Sequence, residues 1–144
     1  MLNRKSDSPI KESKFIKLAY EQAKINLGST GPNPSVGCVV EKNGSVIASA
    51  HTSLNGRPHA EFNALNKKVN FRNSNIYISL EPCSHYGRTP PCTKIIIKKK
   101  IKKVFFSIFD ADKRSKKKSI HNLRNKNISV KNGINEKYGK RFYE

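Results

Sequence analysis

Apolar residues recur at steps of three and four at Phe15, Ile16, Ala19, Tyr20, Ala23 and Leu27, which marks one face of an amphipathic helix. Asp7-Ser8-Pro9 reads as its start, a capping residue ahead of a proline at the first helical position, and Gly28 ends it. The Gly/Pro-rich loop Gly28-Ser29-Thr30-Gly31-Pro32-Asn33-Pro34 leads into two short apolar runs at residues 36–40 and 46–48. Lys42-Asn43-Gly44-Ser45 lies between them, and an Asn-Gly pair in that setting predicts a hairpin. Helical spacing returns over residues 59–68, with Phe62 and Leu65 on one face. Residues 76–80 and 104–108 read as strands, and a helix carrying Ile95, Ile96 and Ile97 starts behind Pro90-Pro91 between them. A further helix is predicted over residues 115–123 and a last short strand over 128–130, after which the pattern fades at about residue 132.

This order, a helix, a hairpin, then helices alternating with strands, predicts an α/β fold in which helices cover both faces of a mixed sheet. No internal repeat is present, and 144 residues fit one domain, with a core at about residues 8–131. The three cysteines are too few for a disulfide framework, and the apolar runs are far shorter than the roughly 20 residues of a membrane span. No apolar stretch follows the basic residues of the N-terminus, so no secretory signal is expected and a reducing cytoplasm is.

Charge changes the picture less than its size suggests. The chain carries 29 Lys+Arg against 10 Asp+Glu, a formal net charge of +19. Residues 93–144 hold 17 of the basic and 4 of the acidic residues, in runs such as Lys98-Lys99-Lys100 and Lys116-Lys117-Lys118. Lysines outnumber arginines 22 to 7, whereas readers of nucleic-acid bases favour the arginine fork. Solvated faces, rather than a specific nucleic-acid partner, are the expectation.

The chemistry concentrates in three pieces: His59-Ala60-Glu61, Pro82-Cys83 and Pro91-Cys92. One imidazole and two thiolates make a three-ligand zinc set with a fourth position left for water, whereas a structural site normally closes with a fourth protein ligand. His59 and Cys92 both fall at expected helix starts, where the dipole favours a thiolate. The pieces match the zinc-deaminase signature, in which the glutamate is a proton carrier rather than a ligand, and Glu61 stands in that position. Cys38, inside an apolar strand, reads as core.

Eight residues separate Cys83 from Cys92, where nucleic-acid deaminases have two. With this insert, Ser84-His85-Tyr86-Gly87-Arg88-Thr89-Pro90-Pro91, with Thr30-Gly31-Pro32-Asn33-Pro34-Ser35-Val36-Gly37, and with His51 ahead of Gly56-Arg57-Pro58-His59-Ala60-Glu61, the chain resembles the deaminase domain of the bifunctional riboflavin-biosynthesis deaminase/reductase. The resemblance runs from about residue 14 to 131. It implies a cytidine-deaminase-like three-layer α/β/α sandwich around a mixed five-stranded sheet. It also implies hydrolytic deamination of 2,5-diamino-6-ribosylamino-4(3H)-pyrimidinone 5′-phosphate. One zinc ion per chain on His59, Cys83 and Cys92 is implied, with Glu61 as proton shuttle. Asn33, His51, His85, Arg88 and Asp112 are the implied substrate contacts, with Arg88 and His85 suited to a phosphate. Self-association is common in the family.

Departures accompany the match. Asp110-Ala111-Asp112-Lys113 stands where the family has Asp-Pro-Asn-Pro, and Lys117 and Ser119 stand where glycines are expected. The approach from His51 to His59 is one residue longer than usual. The reductase half of most relatives does not follow, so a separate reductase, and no NADPH on this chain, are expected. Two other classes share the zinc core: a nucleic-acid deaminase such as a tRNA adenosine deaminase, and a non-catalytic zinc-containing RNA-binding protein. The long insert, the absence of Trp and the scarcity of aromatics among the lysine runs weigh against the first, and the Asp112 departure is what motivates the second.

Overall fold

A computed structural model describes residues 4–112, 114 and 116–144, with side chains from residue 8 onward. Along the chain lie α1 (Arg4–Lys24), β1 (Gly37–Lys42), β2 (Ser45–His51), a single 3-10 turn (Leu54–Gly56), α2 (Ala60–Leu65), β3 (Asn75–Leu80), α3 (Cys92–Lys98), β4 (Lys103–Ile108), α4 (Lys118–Arg124), β5 (Ser129–Lys131) and α5 (Glu136–Phe142). The five strands form one sheet in the order β2-β1-β3-β4-β5. β1 runs antiparallel to both β2 and β3, and β3, β4 and β5 run parallel, so the sheet is mixed.

Side-chain alternation along the strands sorts the core into two layers. Cys38, Val40, Ile76, Ile78, Val104 and Phe106 face α2, α3 and α4 through Ala64, Leu65, Ile96 and Leu123. Val39, Tyr77 and Phe105 face α1 through Phe15, Ile16, Ala19 and Tyr20. On that second side Tyr77 stacks on Phe105 with ring centroids 4.6 Å apart. The expected α/β/α sandwich follows from this division. Asn43 and Gly44 both adopt positive φ, 54° and 86°, which the tight hairpin between β1 and β2 requires. α1 lies so close to β1 that a Cβ on Gly37 would run into the Ala19 carbonyl and come within 2.8 Å of Gln22 Cβ.

Four elements differ from their sequence signals. α1 begins at Arg4 and carries Pro9 inside it; as the sixth residue, past the first turn, the proline removes one intrahelical donor. The cap read at Asp7 lies outside the described side chains. α2 stops at Leu65 and buries Ala60, Glu61, Ala64 and Leu65, leaving Phe62 41% exposed. α5 forms where no element was expected, and Tyr138 and Phe142 place their rings 4.7 and 5.1 Å from Tyr20. α4 is shorter than the predicted 115–123 helix, whose first residue lies outside the described ones. Among the described residues no helix is long and apolar enough to cross a membrane.

Glu41, on β1, is a buried carboxylate with four donors. Oε1 accepts from Asn75 Nδ2 at 3.0 Å and the Tyr77 hydroxyl at 3.3 Å. Oε2 accepts from the Gly44 N–H at 2.8 Å and pairs with Lys11 Nζ at 3.4 Å. Burial opposes its ionisation, but the Asn75, Gly44 and Lys11 donors outweigh it and hold the carboxyl below its usual 4.5. A depressed folded-state pKa stabilises the fold above the unfolded value, and that stability is lost as pH falls through the folded pKa. Urea unfolding of wild type and Glu41→Gln should therefore differ at pH 7, with the gap closing as pH falls below about 4. A gap independent of pH would contradict this role.

Candidate active site

The parallel pair β3–β4 sets the site's position, because the loops leaving their carboxyl ends turn toward the start of α2. Glu81 continues the ladder past β3, its N–H donating to the Ile108 carbonyl at 2.9 Å. Ligand sites of open α/β sheets gather at this edge. His59 caps α2 with an extended backbone, φ −70° and ψ 163°. Its approach is fixed by the Pro58 carbonyl, which accepts from the Ser53 N–H at 3.1 Å and from Asn63 Nδ2 at 3.3 Å.

His59 Nδ1 lies 3.7 Å from Cys83 Sγ and 3.4 Å from Cys92 Sγ. Cys83 follows β3 and Cys92 opens α3, and the two ends of the insert are tied to each other. The Cys92 N–H donates to Cys83 Sγ at 3.2 Å, and the Thr93 N–H donates to the Cys83 carbonyl at 3.2 Å. The three donor atoms all lie within 4.8 Å of one another. Tetrahedral zinc with Zn–S of about 2.3 Å and Zn–N of about 2.0 Å needs N···S separations of about 3.5 Å. The residues therefore fit the metal, and among the described residues no other His, Cys, Asp or Glu joins the group.

Electrostatics point the same way. A hydrogen bond from the Cys92 thiol pulls Cys83 down to about 4, and the same contact pushes Cys92 up. The two sulfurs share one negative charge, and a bound cation is what lets both ionise. The Cys83 contact also raises His59. Glu61, the second residue of α2, is 3% exposed. Burial, then the Cys83 charge, pushes it up to about 7. Cys38 stays in the core, its Sγ 3.4 Å from the Ala60 carbonyl.

His59, Glu61 and Cys83 open onto a cleft of about 480 Å³, whose walls include Asn33, His85 and Asp112. Asn33 also braces its loop, Nδ2 donating to the Gly56 carbonyl at 2.9 Å. Gly56 has φ +93°, and a Cβ there would stand 2.8 Å from Asn33 Nδ2. His51 and Arg88 are placed elsewhere. His51 ends β2 with Nδ1 2.9 Å from Gln22 Oε1 and lines a separate outer groove beside Asn63. Arg88 is exposed on the insert and outside the cleft lining. Arg57 and Arg114 line the cleft instead. The sequence reading did not single them out, although Arg57 adjoins the Pro58-His59 step and Arg114 follows Asp112 by two residues.

A buried carboxylate organises the far wall. Glu81 Oε1 accepts from the N–H groups of Asp110 at 3.2 Å and Lys117 at 3.1 Å, and Oε2 accepts from Ser119 Oγ at 2.6 Å. Lys117 takes φ +65°, which explains why a glycine suits that position.

Comparison with known proteins agrees with the geometry. Residues 9–108 match the family described as the cytidine and deoxycytidylate deaminase zinc-binding region, and fold and site together define a zinc-dependent hydrolytic deaminase. The diaminohydroxyphosphoribosylamino-pyrimidine deaminase of Buchnera aphidicola is 38% identical over 140 residues, covering 94% of this chain and 95% of that protein. The chain belongs to this deaminase family. The riboflavin biosynthesis protein PYRD of Arabidopsis thaliana is 36% identical over 144 residues, but the chain spans only 34% of its length. A crystal structure of the Thermotoga maritima diaminohydroxyphosphoribosylaminopyrimidine deaminase/5-amino-6-(5-phosphoribosylamino)uracil reductase superposes with a TM-score of 0.88 at 36% identity, over 94% of this chain and 40% of that one.

Chelator-treated protein should take up zinc through His59, Cys83 and Cys92. Competition against a chromophoric chelator should show Cys83→Ser and Cys92→Ser binding the metal at least about 100-fold more weakly, with Cys38→Ala close to wild type. Equal weakening by all three substitutions would contradict the assignment.

Proposed function

We propose that the protein hydrolytically deaminates 2,5-diamino-6-ribosylamino-4(3H)-pyrimidinone 5′-phosphate to 5-amino-6-(5-phosphoribosylamino)uracil and ammonia, a step of riboflavin biosynthesis, with one zinc ion per chain. The observation that carries this reading is a buried carboxylate, Glu61, in one cleft with a His/Cys/Cys donor set whose cysteines are split by a long insert. Similarity along almost the full length of a relative named for this deamination supports it.

In this reading His59, Cys83 and Cys92 hold the ion. Zinc, when bound, supplies the Lewis acidity that makes a water nucleophilic near neutral pH. The rest is done by the chain. Glu61 accepts the proton that the attacking water loses and returns it to the ring nitrogen of the substrate. The second proton of that water then passes through Glu61 to the leaving amine, which departs as ammonia while the ring carbon becomes a carbonyl. A carboxyl lifted toward neutrality is matched to taking and giving protons at working pH. The apolar side of α2 and the sheet keep bulk water away from it. Asn33 offers an amide edge to the pyrimidinone, and His85 a donor to its polar substituents. Arg57 and Arg114 make the cleft attractive to an anion.

Incubating the zinc-loaded protein with the diaminopyrimidinone phosphate should release one ammonia per uracil product. Replacing Glu61 with Gln should lower turnover by about 10²–10⁴-fold with zinc content unchanged. Fully loaded wild-type protein that releases no ammonia would sink the proposal.

A further inference from the structure

The mouth of the cleft carries a charged pair that the proton chemistry does not use. We propose that Asp112 and Arg114 work as one unit: Arg114 takes the phosphate of the substrate, and Asp112 is the positioning residue that aims its guanidinium. The inference rests on reading the cleft as the site of a phosphorylated pyrimidine.

The geometry is specific. Arg114 Nη2 donates to Asp112 Oδ2 at 2.7 Å, and Nε lies 3.1 and 3.2 Å from Oδ1 and Oδ2. The backbone N–H of Arg114 donates to Oδ1 at 2.9 Å. The loop beneath is held in turn, Asp112 N–H donating to Asp110 Oδ1 at 3.0 Å and Asp110 N–H to the buried Glu81 at 3.2 Å. A run of hydrogen bonds thus links the guanidinium to the end of β3, two residues before Cys83. Both members of the pair line the cleft together with His59 and Glu61.

Charge decides the assignment. An uncompensated carboxylate at 112 would face the substrate's phosphate dianion and repel it. Arg114 cancels that charge, and the bond to Asp112 holds its carboxyl well below the usual carboxylate range, so it stays ionised and keeps hold of its partner. A guanidinium has five N–H donors, and Asp112 engages the single one on Nε, shared between its two oxygens, and one of the two on Nη2. Asp112 leaves the two donors on Nη1 and one on Nη2 unengaged, and arginine recognises phosphate by paired donors of this kind. Arg88 stands outside the lining. With side chains 67% and 32% exposed, the pair adds little to stability. Its substitution therefore reads out on binding rather than on folding.

The test compares wild type, Arg114→Gln, Asp112→Asn, the double variant and Arg88→Gln. It uses two readouts: ammonia-release kinetics, and calorimetric binding of ribose 5-phosphate to the zinc-loaded proteins. Arg114→Gln should raise KM about tenfold or more with kcat little changed, and should weaken ribose 5-phosphate by a similar factor. Asp112→Asn should cost less, and the double variant should stay well above the wild-type KM, recovering at most the part of the Arg114→Gln loss that an uncovered Asp112 carboxylate causes, because Asp112 acts through Arg114. An unchanged KM in Arg114→Gln, a double variant back at the wild-type KM (Arg114 then only cancelling Asp112), or a KM effect confined to Arg88→Gln overturns the proposal. So does a fall in kcat with a lower melting temperature, which is what mere bracing of the loop would give. If wild type releases no ammonia, the substrate reading fails on its own; ribose 5-phosphate binding then decides the pair, equal affinity in wild type and Arg114→Gln overturning it.

Discussion

Three donor atoms from three separate chain segments have to stand within one coordination sphere, and most of the long-range order around the cleft serves that meeting. His59 reaches it from the cap of α2, Cys83 from the end of β3 and Cys92 from the first residue of α3. Neither helix could place its ligand without the sheet. β3 delivers Cys83, and the N–H groups of Cys92 and Thr93 then bind back to Cys83, closing the insert into a loop with fixed ends. Gly37 permits the close seat of α1 on β1 that backs the whole edge. The crowding of two sulfurs and an imidazole is costly while one proton must be shared among them, and a dication relieves it.

The sheet was legible in the sequence because its strands are short, apolar and separated by turn residues. Asn43-Gly44 marked the hairpin for a stereochemical reason that the positive φ angles bear out. α5 was not legible: its seven residues are mostly polar, and only the rings of Tyr138 and Phe142 against Tyr20 make it part of the fold. Phe62 was misread because α2 is too short for a full apolar stripe, and its buried face is set by Ala60, Glu61, Ala64 and Leu65.

The site divides in the same way. His59, Glu61, Cys83 and Cys92 could be read because their spacing is local and their chemistry has few other uses. Residues whose part depends on where a loop turns could not. Spacing carried no sign that His51 would swing to Gln22 or that Arg88 would point outward. Glu81 fits the family pattern beside Cys83, but its part could not be read from the sequence, since it lies in donors that arrive from residues 110, 117 and 119. The overall charge also separates into two kinds. Lys116, Lys117 and Lys118 are exposed, as are Lys98 and Lys100. The cations of the cleft, Arg57 and Arg114, are arginines.

Tyr143 gives the fold an asymmetry of practical weight. Its hydroxyl meets Ser79 Oγ at 2.7 Å and donates to the Ser35 carbonyl at 2.9 Å, joining β3 to the loop that carries Asn33. Tyr143 is thus a keystone beneath one wall of the cleft, bonded to the same strand that leads to Cys83. Loss of that hydroxyl would be felt as a loosened wall at Asn33, at the other end of the chain from the side chain that changed.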